Sequence, residues 1–252
     1  MIAQNDQKDD LLQMLNYLHR VCKENDIWYS LAYGTLLGAV REKGFIPWDL
    51  DVDIFVRHDD LLKLRNAIRC DKKSHYHLCV PGVEKGFGSC HERLILEGQS
   101  HYDCHIDIYG LIGAPNDAQE RIRFLKKTRR LYQFFSAKYK PFHATKKPIL
   151  LFFTKMFAIF VPDTYTNKVY RTYSTQYGWS DSEYVTVFAP PYYDAYPKTM
   201  MQKTVELPFE DQQYQCIAEY DMFLTSLYGD YMTPRKNNYI RKDQSNEKKG
   251  NV

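Results

Sequence analysis

Three aspartates stand at every second position in the stretch GFIPWDLDVDIF, residues 44–55: Asp49, Asp51 and Asp53. Like charges held close together disfavour ionisation, so a cation or a set of donors must offset them. Residues 51–56, DVDIFV, alternate polar and apolar, as a half-buried strand does. Residues i and i+2 of a strand face one side, roughly 7 Å apart. Asp51 and Asp53 are therefore expected to converge above a sheet, with Val52 and Ile54 anchored below it. A divalent cation suits that point. A calcium loop of the EF-hand type does not. Asp49, Asp51 and Asp53 match its ligand positions 1, 3 and 5, but the sixth position is Ile54, not Gly, and the twelfth is Asp60, not Glu. A solvated acidic strand end is the plain alternative for any D-x-D.

The surrounding residues favour the cation. AYGTLLGA, residues 32–39, lies just upstream. At Gly34 the backbone can approach a phosphate closely, Thr35 can donate a hydrogen bond, and a following helix N-terminus favours anions. A third acid is needed for a two-metal or metal-plus-base arrangement. HIDIY, residues 105–109, supplies Asp107 between Ile106 and Ile108 on what reads as a buried strand. A carboxylate there is costly unless it is paired or bound to metal; a salt-bridged structural Asp is the plain reading. His105 shares its strand face and could assist.

The elements that must position these groups follow from periodicity. Leu11, Leu12, Leu15, Leu18 and Cys22 mark a helix over 9–24, and HDDLLKLRNAI (58–68) a second with an Asp near its N-cap. Strands are expected at 27–33, 51–56, 76–80, 93–98 and 105–112, with a short helical stretch in 34–44. Helices are expected at 117–138 and 163–177, and another inside 210–232 starting near Ala218. The fold class is α+β: a mixed sheet with flanking helices and a more helical C-terminal half.

Composition narrows the function. The 252 residues carry a net charge of +3 and 26% charged residues, too balanced to argue for nucleic acid. Six widely spaced cysteines without a C-x-x-C pair make neither a disulfide framework nor a zinc signature, and suit reduced thiols. The polar N-terminus reads as no secretory signal, and no apolar run reaches the about 18 residues of a spanning helix. The nearest, PILLFFTKMFAIFV (148–161), follows a segment, 121–147, with ten Lys/Arg and no Asp or Glu, interleaved with aromatics. That is the composition of an interfacial membrane-binding element, expected here for 121–161. A solvated helix followed by a core helix is its plain alternative. A nucleic-acid patch shares the charge but has no accompanying motif.

YGTLLGAVREKGFIPWDLDVDIFV resembles the signature of the LicD family of phosphocholine transferases, which extends to fukutin-related ribitol-phosphate transferases. LPFEDQQY…YDMFLTSLYGDYMTP (207–234) resembles that family's closing motif. The resemblance implies one nucleotidyltransferase-like domain over 1–234, with 113–205 as a variable acceptor- or membrane-facing region and 235–252 as a polar basic tail. It implies transfer of a phospho-alcohol, choline first and ribitol, glycerol or ethanolamine behind it, from a CDP-linked donor to a sugar hydroxyl of a glycan or glycolipid. It implies Mg²⁺ or Mn²⁺ held by Asp51, Asp53 and Asp107, with Asp107 also a candidate proton acceptor. Gly34 and Thr35 become phosphate contacts, Arg41 a phosphate clamp, and Asp49 an acid linked to the metal. Leu50 stands where the family usually has a second acid, and CIAEYD replaces a common proline. Trp48, Trp179, Tyr192, Tyr193 and Tyr196 are candidates for an aromatic cage around a quaternary ammonium. The implied location is cytoplasmic, at the inner face of the membrane. A nucleotidyltransferase proper, releasing pyrophosphate, and a silent glycan- or nucleotide-binding module are the rival readings.

Overall fold

Strands β2 (Val52–Arg57) and β5 (His105–Ala114) run parallel and in register from Val52↔Ile106 to Arg57↔Leu111. Their alternation does what the sequence pattern requires. Val52, Ile54, Ile106 and Ile108 are fully buried and join one core with Leu11, Leu15 and Leu64. The last three come from helices α1 (Ile2–Glu24) and α3 (Leu61–Cys70). The computed structural model describes residues 2–49, 51–101, 103–140, 142, 147–190 and 194–234.

The remaining strands are β1 (Tyr29–Leu31), β3 (Tyr76–Cys79), β4 (Glu92–Leu96), β6 (Tyr184–Val187), β7 (Tyr196–Pro197), β8 (Thr204–Phe209) and β9 (Gln212–Ile217). They form one nine-stranded mixed sheet in the order β3-β4-β5-β2-β1-β9-β8, with β6 added to the far end of β5 and β7 to β6. β1 and β9 also pair in parallel; the other pairs are antiparallel. Helix α2 (Tyr33–Arg41) connects β1 to the loop before β2. Helices α4 (Ala118–Ser136), α5 (Pro148–Ala158) and α6 (Asp163–Ser174) follow β5, and α7 (Tyr220–Tyr228) follows β9. A smaller apolar cluster of Ile112, Phe124, Phe135, Tyr170 and Phe188 ties α4 and α6 to the end of β5.

The mixed sheet with flanking helices is the architecture expected from the sequence. Three local readings change. Asp60 precedes α3 but makes no side-chain cap; a 3₁₀ turn over His58–Asp60 leads into the helix instead. The second half supplies four strands, β6 to β9, beside its helices. LPFEDQQY is a β-hairpin, because Glu210 adopts φ 54° and turns the chain between β8 and β9. Leu50, Tyr192, Tyr193 and the tail 235–252 lie outside the described residues.

Candidate active site

Asp53 and Asp107 are register partners on β2 and β5. Neighbouring strands lie about 4.8 Å apart, so both carboxylates rise side by side from one face. The three aspartates of the opening stretch are not equivalent. Asp51 is exposed and precedes the strand. Asp49 lies against the start of α2: a Cβ on Gly34 would fall 2.6 Å from its Oδ2. A carboxylate is favoured at that end of a helix dipole.

The backbone of Asp53 is held from both sides. Its N–H donates to Thr35 Oγ1 at 2.9 Å, and its carbonyl accepts from Ala32 N–H at 2.9 Å. Thr35 is thus a buried tie between α2 and β2. Ala32 offers α2 no side-chain cap, so the helix begins without one of the usual partners for its first N–H groups. Tyr33, the first residue of α2, sits at φ 43°, a costly conformation for a bulky side chain. Edge contacts to Phe55 and Tyr109, with ring centroids 5.0 and 5.2 Å away, hold it there.

Asp107 is surrounded by nitrogen. Arg93 Nε donates to its Oδ1 at 2.6 Å, His91 Nε2 lies 3.0 Å from the same oxygen, and His105 Nε2 lies 3.6 Å away. Arg93 reaches it as its cross-strand partner on β4. Burial alone would raise the Asp107 pKa, but His91, Arg93 and His105 outweigh it and hold the carboxyl well below the usual range. Such a group is ionised and a poor proton acceptor near neutral pH. Tyr109, on the same face, is pushed well up by burial and then by the charges of Asp53 and Asp107.

A second clamp comes from the far end of the chain. Phe45 N–H donates to Glu210 Oε1 at 2.9 Å, and Glu210 N–H donates to the Lys43 carbonyl at 2.8 Å. A Cβ on Gly44 would lie 2.3 Å from Glu210 Oε1, and one on Gly38 would lie 2.4 Å from the Gly44 carbonyl. The β8–β9 turn therefore holds the loop that delivers Asp49 to Asp53, and at Gly38 a side chain would run into the backbone of that loop.

The structure brings together Gly34, Thr35, Asp49, Asp53 and Asp107, with Asp51 at the strand entrance. Arg41 is elsewhere: it closes α2, about 10 Å along the axis from Gly34. Its side chain is buried against Glu42 Oε1 at 2.7 Å and the Tyr231 carbonyl at 2.9 Å. His91 and Arg93 were not singled out from the sequence. Their signal was there: alternate positions in the run leading into a strand whose partner carries Asp107.

Asp51, Asp53 and Asp107 offer only oxygen donors, the kind that suits a hard divalent cation such as Mg²⁺ or Mn²⁺, but their three carboxylates do not come within 4.8 Å of one another. A softer grouping lies two strands away, where ligand atoms of His77, Cys79 and Glu84 come within 4.8 Å of one another. Among the cage candidates, Trp48 is exposed, Trp179 carries the Arg57 guanidinium 5.1 Å from its ring centroid, and Tyr196 is buried against Phe223. The last two are engaged in the fold.

Residues 26–146 match the family described as LicD/FKTN/FKRP, nucleotidyltransferase domain. The chain is 28% identical over 245 residues to the lipopolysaccharide cholinephosphotransferase LicD of Haemophilus influenzae, covering 88% of each chain. It is also 41% identical over 58 residues to an uncharacterized protein of Rickettsia prowazekii, covering 23% of this chain and 22% of that one. A third similarity, 37% over 68 residues, is to an uncharacterized protein of Rickettsia typhi, covering 27% and 22% respectively.

Proposed function

From a chain that carries a LicD family domain, we propose an enzyme that transfers phosphocholine from a CDP-linked donor to a sugar hydroxyl of a glycan or glycolipid, releasing CMP. The observation that carries the reading is the register of Asp53 with Asp107 beside the start of α2, in a chain similar along most of its length to a cholinephosphotransferase. Mg²⁺ or Mn²⁺ held by Asp51, Asp53 and Asp107 would neutralise charge on the donor pyrophosphate and the departing CMP. The chain's own groups do the rest. Gly34 lets the α2 backbone approach a phosphate, and the first-turn N–H groups of α2 receive it. Thr35 acts through Asp53, by fixing its backbone. Arg93 and His91 keep Asp107 ionised, which favours the ligand role over that of proton acceptor. Arg41 is assigned to holding α2 against the segment after α7.

The donor and the setting rest on the family likeness. Choline is the first alcohol to test, and ribitol, glycerol and ethanolamine follow. A nucleotide-linked donor and six free thiols suit the cytoplasmic side of a membrane that carries the acceptor. The test is to incubate the protein with Mg²⁺ and CDP-choline, CDP-ribitol, CDP-glycerol or CDP-ethanolamine, with and without lipopolysaccharide. Acceptor-dependent CMP release is expected, strongest with CDP-choline. Release of pyrophosphate from a nucleoside triphosphate, with no CMP from any CDP-alcohol, would instead make it a nucleotidyltransferase. Undiminished turnover in excess EDTA would remove the metal.

A further inference from the structure

Helix α5 buries only Leu151 and Ala158. On it and the turn after it, Ile149, Leu150, Phe152, Phe153, Met156, Phe157, Ile159 and Phe160 are exposed, from 49% at Met156 to 83% at Phe160. The largest apolar patch of an ordinary monomer is about 300–600 Å². Eight large side chains at this exposure, each presenting on the order of 100 Å², exceed that range. At 11 residues α5 is too short to cross a bilayer, and α6 leaves at 100° to it. An in-plane seat is the geometry left to a helix of this length and composition.

Charge indicates what it sits on. Residues 121–162 contain eleven Lys/Arg, the ten of 121–147 and Lys155, and no Asp or Glu. Lys126, Lys127 and Arg130 on α4 and Lys140 beyond it are exposed. A large apolar surface that follows a run of cations, of which Lys138 is paired with an acid of the next helix, Asp163, complements an anionic lipid surface, where apolar insertion and headgroup attraction act together.

The third observation links this surface to the chemistry. A cavity of about 970 Å³ has His91, Arg93 and Tyr109 of the active face on one wall and Arg130, Lys140 and Leu150 of the α4–α5 region on another. It opens the sheet face beside Asp107 toward the root of the exposed helix.

We propose that α5 seats the protein on an anionic bilayer, and that this cavity is the route by which a membrane-borne acceptor's anionic head group reaches Asp53 and Asp107. The second clause rests on the transferase reading above; the first does not. Vesicle co-sedimentation without any donor tests the first. The wild-type protein should bind vesicles of phosphatidylglycerol mixed with phosphatidylcholine and bind pure phosphatidylcholine less. Binding should weaken as salt shortens the Debye length from about 10 Å at 0.1 M to about 3 Å at 1 M. Phe153→Glu with Phe157→Glu should lower partitioning roughly ten-fold or more while leaving the melting temperature unchanged, since both side chains are exposed. If the wild-type protein ignores anionic vesicles at low salt, the seat is wrong. A wild-type dimer that becomes a monomer with those two substitutions would show that α5 meets a second copy instead.

The route is tested by Thr154→Trp, which fills the cavity from its α5 wall. It should retain vesicle binding and CDP-dependent thermal stabilisation but lose roughly ten-fold or more of its turnover on vesicle-borne lipopolysaccharide. Unchanged turnover would overturn the route. Vesicle binding without CMP release from any wild-type reaction would overturn the transferase reading and leave the seat standing.

Discussion

The β2–β5 pair and helix α5 each hold side chains in surroundings that ordinarily disfavour them. Between the strands a carboxylate, Asp107, is largely buried; on the helix eight large apolar groups face outward. The sheet resolves its conflict internally, with Arg93, His91 and His105 gathered on Asp107 and two backbone hydrogen bonds fixing Asp53. Helix α5 carries its largest side chains outside the apolar clusters that hold the rest of the fold together. The difference separates a region finished by its own chain from one that we propose is finished by a lipid surface. It also means that equivalent substitutions should have very unequal consequences in the two places.

The largest effect is expected at the carboxylates. Asp53→Asn should lower turnover roughly 10²–10³-fold, the scale on which loss of one preorganised electrostatic contact is felt. Circular dichroism should show an intact fold; a variant retaining more than half of wild-type turnover would remove Asp53 from the site. Stability sharpens the contrast further. Phe55→Ala, fully buried on β2, should cost about 3–5 kcal/mol in denaturant unfolding. Phe153→Ala on α5 should stay within about 0.5 kcal/mol. Comparable losses at both would mean that α5 is part of the core.

Glu210→Ala tests whether the sheet region owes its order to a distant turn. It leaves the Phe45 N–H without its acceptor, which should cost about 1–3 kcal/mol and lower turnover although Glu210 lies on none of the strands bearing the aspartates. Wild-type values for both would reduce the contact to a surface hydrogen bond. The smallest effect is in pH. Burial lowers the pKa of His19, of His58 and of His101, each with help from a nearby cation. The unfolded chain, with His near 6.5, then binds more protons than the folded one in mild acid. The stability these groups contribute is full above about 6.5 and is lost as pH falls below it. Asp107 has the same sign in a lower window, below about 3.9. The urea midpoint should therefore fall from about pH 7.5 to about pH 5.5, and a flat midpoint would contradict the burial of these histidines.

Much of the candidate site's layout was legible in the sequence because its signals are local. A two-residue alternation in DVDIFV and HIDIY specifies which carboxylates share a face, and it was enough to select Asp53 and Asp107. Sequence could not show that they are direct register partners, because strand order is set by pairing over long separations. Arg93 and His91 were missed for that reason: β4 delivers them across the sheet, and nothing in HERLIL names its partner. Arg41 misled in the other direction. It stands inside the signature, but one helix length carries it away from Gly34 to the Tyr231 carbonyl. The hairpin at 204–217 was hidden because QQYQCI lacks a clean alternation and its two-residue turn, Glu210–Asp211, places its positive φ on Glu210, where the sequence offers neither Gly nor Asn.

The position of β9 has a consequence for the order in which the molecule can be made. Ile217 is near the end of the described chain, yet β9 lies inside the sheet, between β1 and β8, where Ile217 N–H donates to Ser30 Oγ at 2.9 Å. A ribosome delivers Asp53 and Asp107 well before it delivers β9. At about 5–20 residues per second, the interval from Asp107 to Ile217 is roughly 5–20 s. For that time β1 is an open edge, and an unpaired strand edge is a template for pairing with other chains. The loop before Asp49 meanwhile waits for Glu210. The nascent protein thus carries the candidate carboxylates before it has the strand that seals the sheet beside them, and a transcript broken between the two would yield an adhesive fragment.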